Sequence, residues 1–143
     1  MSARATFLAE MKRECKAARN GRYFVKRGVI NWSSFSFEAH PFAVAIVVDD
    51  CSFANTEGFQ EMRVSLEAAA RIPDELEQPE IDDPTLDELF EDFEAVIQRV
   101  GKKLDPKGDS VLLRFDARTA KAVEFHDTSL RVQGVVFTFF VVV

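Results

Sequence analysis

Residues 130–143 read LRVQGVVFTFFVVV, and from Val135 onward Thr138 is the one polar residue. Side chains of a strand alternate between two faces, so an apolar run of this kind makes both faces apolar. Burying each large side chain contributes ~1.5–3 kcal/mol. A whole face left in water would forfeit several times that and invite edge-to-edge or face-to-face aggregation. The run therefore has to be covered on both sides, by a helix, by loops or by another copy of the chain. One face is expected under the amphipathic helix that precedes it.

That helix is the clearest in the chain. Leu86, Leu89, Phe90, Phe93, Val96, Ile97 and Val100 fall on one stripe at a period of 3.6. Asp83 or Thr85 offers a cap, Pro84 suits the first turn, and Gly101 with Lys102 and Lys103 marks its end. A first helix over Ala5–Arg19 carries Phe7, Leu8, Met11, Cys15 and Ala18 on its apolar side, and Asn20-Gly21 stops it. Between the helices, Phe42–Val48 (FAVAIVV), led by Pro41 and ended by Asp49-Asp50, reads as a central strand buried on both faces. Phe59–Ile72 alternates Met62, Val64, Leu66 and Ala68 with Arg63, Ser65 and Glu67, one face core and one wet. Arg22–Trp32 reads as an edge strand, and Asn31–His40 (NWSSFSFEAH) as either a short strand or a loop. Pro73–Pro84, with three prolines and six acids, cannot be a ladder strand and reads as a connection. Strand-like runs follow at Ser110–Phe115, Lys121–Phe125 and Leu130–Val143. Consecutive strands with short turns imply an α+β fold, a mainly antiparallel sheet with two main helices on one face.

At 143 residues, 47% of them hydrophobic, the chain is expected to form one domain spanning residues 1–143. Its 14 Phe against one Tyr and one Trp point to a thick core or buried subunit contacts. A net charge of -6 argues against wrapping duplex DNA, which requires Lys and Arg on phosphates. The charge is unevenly spread. Up to Arg27, eight basic residues outnumber Glu10 and Glu14, whereas Asp74–Glu94 holds eleven acids and no base. Both blocks read as solvated faces or as complementary patches on neighbouring subunits. Cys15 and Cys51 have neither disulfide nor zinc spacing, in keeping with a reducing cytoplasm. The opening MSARATFLAEMKREC has no apolar leader region, and no membrane helix is expected.

No phosphate loop, nucleophile elbow or His-Glu-x-x-His motif occurs. A His126-Asp127 pair beside Ser129 or Ser52, or His40 at a strand end, gives only isolated candidates for general-base chemistry, and turn chemistry and solvent at strand ends account for both histidines better. Asp49 and Asp50 after a buried strand, with Glu61 downstream, resemble the carboxylates of metal-dependent nucleases but lack the following Lys. The acids of residues 74–83 lack calcium-loop spacing. No catalytic residue, cofactor or metal is expected.

The order of elements resembles the tail terminator (tail completion) proteins of long, non-contractile-tailed bacteriophages. The likeness lies in the basic first helix, the Pro41–Asp50 strand, the alternating Met62–Ile72 strand, the Leu86–Val100 helix and the closing Leu130–Phe139 strand. The acidic, Pro-rich insert at residues 73–84 departs from it. The resemblance implies a virion protein at the head-proximal end of the tail, assembled in the host cytoplasm. It would form a homohexameric ring that caps the tail tube, ends its polymerisation and joins the head. Its partners would be itself, the tube protein and a head–tail connector protein, with DNA passing through the lumen unread and no membrane involved. The charge pattern adds Lys12, Arg13, Lys16 and Arg19 as residues facing a neighbour's acids. Cys51, Ser52, Phe53, Ala54, Asn55, Thr56, Glu57 and Gly58, a polar link between strands, are the expected tube contact. The competing readings are another head–tail connector or neck ring protein, a small nuclease using Asp49, Asp50 and Glu61, and an acidic module that sequesters a host protein.

Overall fold

The computed structural model describes residues 3–53, 60–71, 84–104, 113–114, 121–126 and 131–142. Its elements run α1 (Ala3–Ala17), a turn of 3-10 helix (Ala18–Gly21), β1 (Phe24–Arg27), β2 (Phe42–Phe53), β3 (Gln60–Arg71), α2 (Pro84–Leu104), β4 (Leu113–Arg114), β5 (Lys121–His126) and β6 (Arg131–Val142). The fold is α+β. Its six-stranded sheet runs β1-β2-β3-β6-β4, with β5 also on β6, and every pairing except parallel β1–β2 is antiparallel.

Both helices pack on one face of this sheet. Phe7, Leu8, Met11 and Cys15 of α1 and Leu89, Phe93, Val96, Ile97 and Val100 of α2 share a core with Val44, Ile46, Val64, Leu66, Ala68, Val135 and Phe137. These sheet residues stand in rows across the strands: Val44 with Ala68 and Val135, and Ile46 with Leu66 and Phe137. One face of the last strand, Val135 and Phe137, thus lies under α2 as expected, with the Phe90 and Phe137 rings 5.7 Å apart edge-to-face. β6 is an interior strand, paired to β3 along one edge and to β4 and β5 along the other.

Three features differ from expectation. β2 does not end at Asp49-Asp50. A bulge between Val48 and Asp50 absorbs one residue, and the ladder continues until Phe53 pairs with Gln60, so Cys51, Ser52 and Phe53 are strand and not loop. Ala54, Asn55, Thr56, Glu57 and Gly58 lie outside the described residues, as do residues 72–83. α2 continues through Gly101 to Leu104, because Leu104 extends the apolar stripe onto the core. The second face of β3 is wet only in part: Arg63 is exposed, Glu67 and Arg71 are half-buried, and Ser65 and Ala69 are buried.

What covers that face is the Asn31–His40 segment, a loop and not a strand. Asn31 folds it by accepting hydrogen bonds from Ser33 through its side chain and from Ser34 through its carbonyl. Ile30, Trp32, Phe35 and Phe37 then lie over Ala43, Ala45, Val47 and Ala69. These small sheet residues admit the rings, and Trp32 donates to Glu67 at 3.4 Å.

Candidate functional site

α1 and α2 run antiparallel, and four ion pairs join α1 and the turn after it to α2. Lys103 meets Glu10 at 3.1 Å, Arg99 meets Glu14 at 3.0 Å, Arg19 meets Asp92 at 2.8 Å and Arg22 meets Glu88 at 3.0 Å. The basic end of the first helix and the acidic start of the second are therefore complementary within one chain. Arg19 and Asp92 form the strongest of these contacts: the guanidinium Nε reaches both carboxylate oxygens, at 3.0 and 2.8 Å. Buried Tyr23 donates its hydroxyl to the same carboxylate at 2.7 Å. Burial, with the Asp92 hydrogen bond adding to it, raises the Tyr23 pKa above its ordinary range. Arg22 also lies over the Phe42 ring, 3.3 Å from its centroid.

The local chain path makes this possible. Arg19 and Asn20 adopt left-handed backbone angles (φ 45° and 58°) and Gly21 follows at φ 81°, turning the chain from α1 into β1 so that Arg19, Arg22 and Tyr23 face the start of α2. Only glycine adopts φ 115° comfortably, and Gly28 does so where β1 ends.

The four basic residues singled out in the sequence divide into two pairs. Arg13 is bonded to Glu10 on its own helix and Arg19 to Asp92. Lys12 is half-buried and Lys16 exposed on α1, and neither forms an ion pair among the described residues. Counting charge along the chain treats residues 74–94 as one acidic block and does not single out the partners. In the fold Glu88 and Asp92 sit one turn apart on the α2 flank that meets Arg22 and Arg19.

The strand register locates some of the isolated chemical candidates. Asp50 stands in register with Arg63, and Glu61 with Ser52 and Val142. His40 stacks on Phe24 with centroids 4.5 Å apart, whereas His126 lies in β5 opposite Arg131; Asp127 and Ser129 fall outside the described residues. Among the described residues no three His, Cys, Asp or Glu side chains converge as a metal site, and no helix is long and apolar enough to cross a membrane. Cys15 is fully buried, and its thiol is pushed up to about 12, first by burial and then by Glu14, with Arg99 opposing. Comparison with protein-family models and with curated protein sequences found no match.

Proposed function

We propose that this protein is a structural subunit of a phage tail, a tail terminator that forms a ring on the finished tube, ends its polymerisation and offers the surface that joins the head. The observation that carries this reading is the arrangement of elements: a basic first helix, an edge strand, long β2 and β3, a second helix on the same face, and an interior closing strand. It has the layout on which the resemblance to tail terminators rests. In this reading Lys12 and Lys16, which pair with no acid among the described residues, face a neighbour in the ring, while Arg13 and Arg19 pair with acids of their own chain. The stretch from Cys51 to Gly58 meets the tube.

Mixing the protein with polymerising tail-tube protein of a long-tailed phage tests this. The expected product is a ring of about six copies at one tube end, released by salt as exposed charge pairs are screened. Lys12→Glu with Lys16→Glu is expected to weaken the ring and leave the monomer folded. A ring indifferent to salt and to these reversals would remove the two lysines from the interface. Binding to filled heads and not to tubes would identify a neck ring instead.

A further inference from the structure

We infer that neighbouring subunits join helix to helix, Lys12 and Lys16 on the free flank of α1 in one copy meeting Asp87 and Glu91 on α2 of the next. This rests on the ring reading proposed above and names the two surfaces through which the ring closes. Glu10 and Glu14 turn toward α2, where they meet Lys103 and Arg99. Lys12 and Lys16 each follow one of these acids by two residues, about 200° further round the helix, and so stand on the opposite flank. On α2, Glu88 and Asp92 turn toward Arg22 and Arg19. Asp87 and Glu91 each precede one of that pair by one residue, about 100° round on the side away from the buried stripe, and both are exposed. Among the described residues none of Lys12, Lys16, Asp87 and Glu91 forms an ion pair.

Three observations fit these surfaces to one another. The first is sign. One surface carries two cations a turn apart and the other two acids a turn apart; each like-charged pair is unfavourable on its own helix, and an opposite pair relieves both. The second is spacing. Ala5, Ala9, Lys12 and Lys16 run at i, i+4, i+7 and i+11, and Asp87, Glu91, Glu94 and Gln98 run at the same intervals. Laid antiparallel, Lys16 opposite Asp87 puts Lys12 opposite Glu91. The small Ala9 and Ala5 then lie opposite Glu94 and Gln98, so the helices can approach closely and no two like charges face each other. The third is direction. The surfaces belong to different helices on one face of the sheet, so the contact is heterologous and repeats from copy to copy until it closes. Copies related by rotation about one axis keep α2 antiparallel to the neighbour's α1. That is the order the helices have within the chain, where Lys103–Glu10 and Arg99–Glu14 already pair at 3.1 and 3.0 Å.

Exchange of charge tests this. Lys12→Glu with Lys16→Glu gives one variant and Asp87→Lys with Glu91→Lys another, each checked for folding by circular dichroism. Rings are counted by negative-stain imaging, for concentrated protein alone and on tail tubes. Each variant alone is expected to need at least about tenfold more protein to form rings. An equimolar mixture is expected to form them as the native protein does, because every contact of an alternating ring then joins opposite signs. Independently, Lys16→Cys with Asp87→Cys in a Cys51→Ser chain is expected to oxidise to a ladder of linked copies. Rings from either variant as readily as from native protein, a mixture no better than its components, or no ladder overturns the inference. Native protein that ends tube growth beside a mixture that does not recover overturns this contact alone and leaves the terminator reading standing. Recovery in the mixture with tube growth unchanged supports the contact and overturns that reading, and native protein that forms no ring in either setting overturns both.

Discussion

Tyr23 shows how much one side chain contributes here. Its ring is buried against Phe93 and Phe42, at 4.8 and 6.0 Å between centroids, while its hydroxyl completes the Asp92 carboxylate already held by Arg19. Tyr23→Phe keeps the packing and removes one charge-assisted hydrogen bond, which is expected to lower stability by about 1.5 kcal/mol in urea unfolding. An unchanged midpoint would show that the bond contributes nothing. At Gly28 no atom lies within 4 Å of an added Cβ, so Gly28→Ala is expected to cost about 1–3 kcal/mol through its φ of 115° alone. Cys15 sets a pH dependence. Its folded pKa of about 12 lies above the ordinary 9.0, so its contribution is complete below 9.0 and is lost as pH rises from 9.0 toward 12. Stability measured across that window is expected to fall more steeply for the native protein than for Cys15→Ala, and in Cys51→Ser the remaining thiol is expected to resist alkylation until the protein unfolds. Equal slopes would mean that the thiol is solvated. The helical stripe in the sequence already marks Cys15 as buried, but the Tyr23–Asp92 contact joins residues far apart in the chain and has no local signature.

At the scale of elements, apolar periodicity locates both helices because burial on one side imposes a 3.6-residue stripe. It locates their ends less well. Gly101 costs about 1 kcal/mol inside a helix, a price that burying the next stripe residue, Leu104, outweighs. Asp49-Asp50 marks a bulge within β2 and not its end, because the β2–β3 ladder resumes beyond it. The helix pair is held mainly by its apolar seam. Phe93, wholly buried at the centre of α2, is expected to cost about 3–5 kcal/mol on truncation to Ala. Each of the four cross-links contributes only about 0.2–1 kcal/mol, since the basic side chain of each is partly open to water. Raising the salt concentration is accordingly expected to shift thermal unfolding by much less than Phe93→Ala does; a salt effect of equal size would mean that charge, not packing, joins the helices.

For the whole molecule, the α+β class and the packing of Val135 and Phe137 of the closing strand under α2 were legible because they follow from apolar runs. The cover on the second face was not. Its sequence, NWSSFSFEAH, is rich in serine, and only the small residues beneath it, Ala43, Ala45 and Ala69, make room for Trp32, Phe35 and Phe37. The charge asymmetry has a different meaning in the fold than it had in the sequence: much of it is balanced between α1 and α2, which leaves Lys12 and Lys16 on the helix and Lys26 and Arg27 on the sheet edge among the cations offered outward. The central claim is that such a subunit ends the growth of a tube. Tube lengths measured by negative-stain imaging, with and without the protein, test it most directly: the expected result is shorter tubes of uniform end, each bearing one ring, and a length distribution unchanged at saturating protein would contradict it.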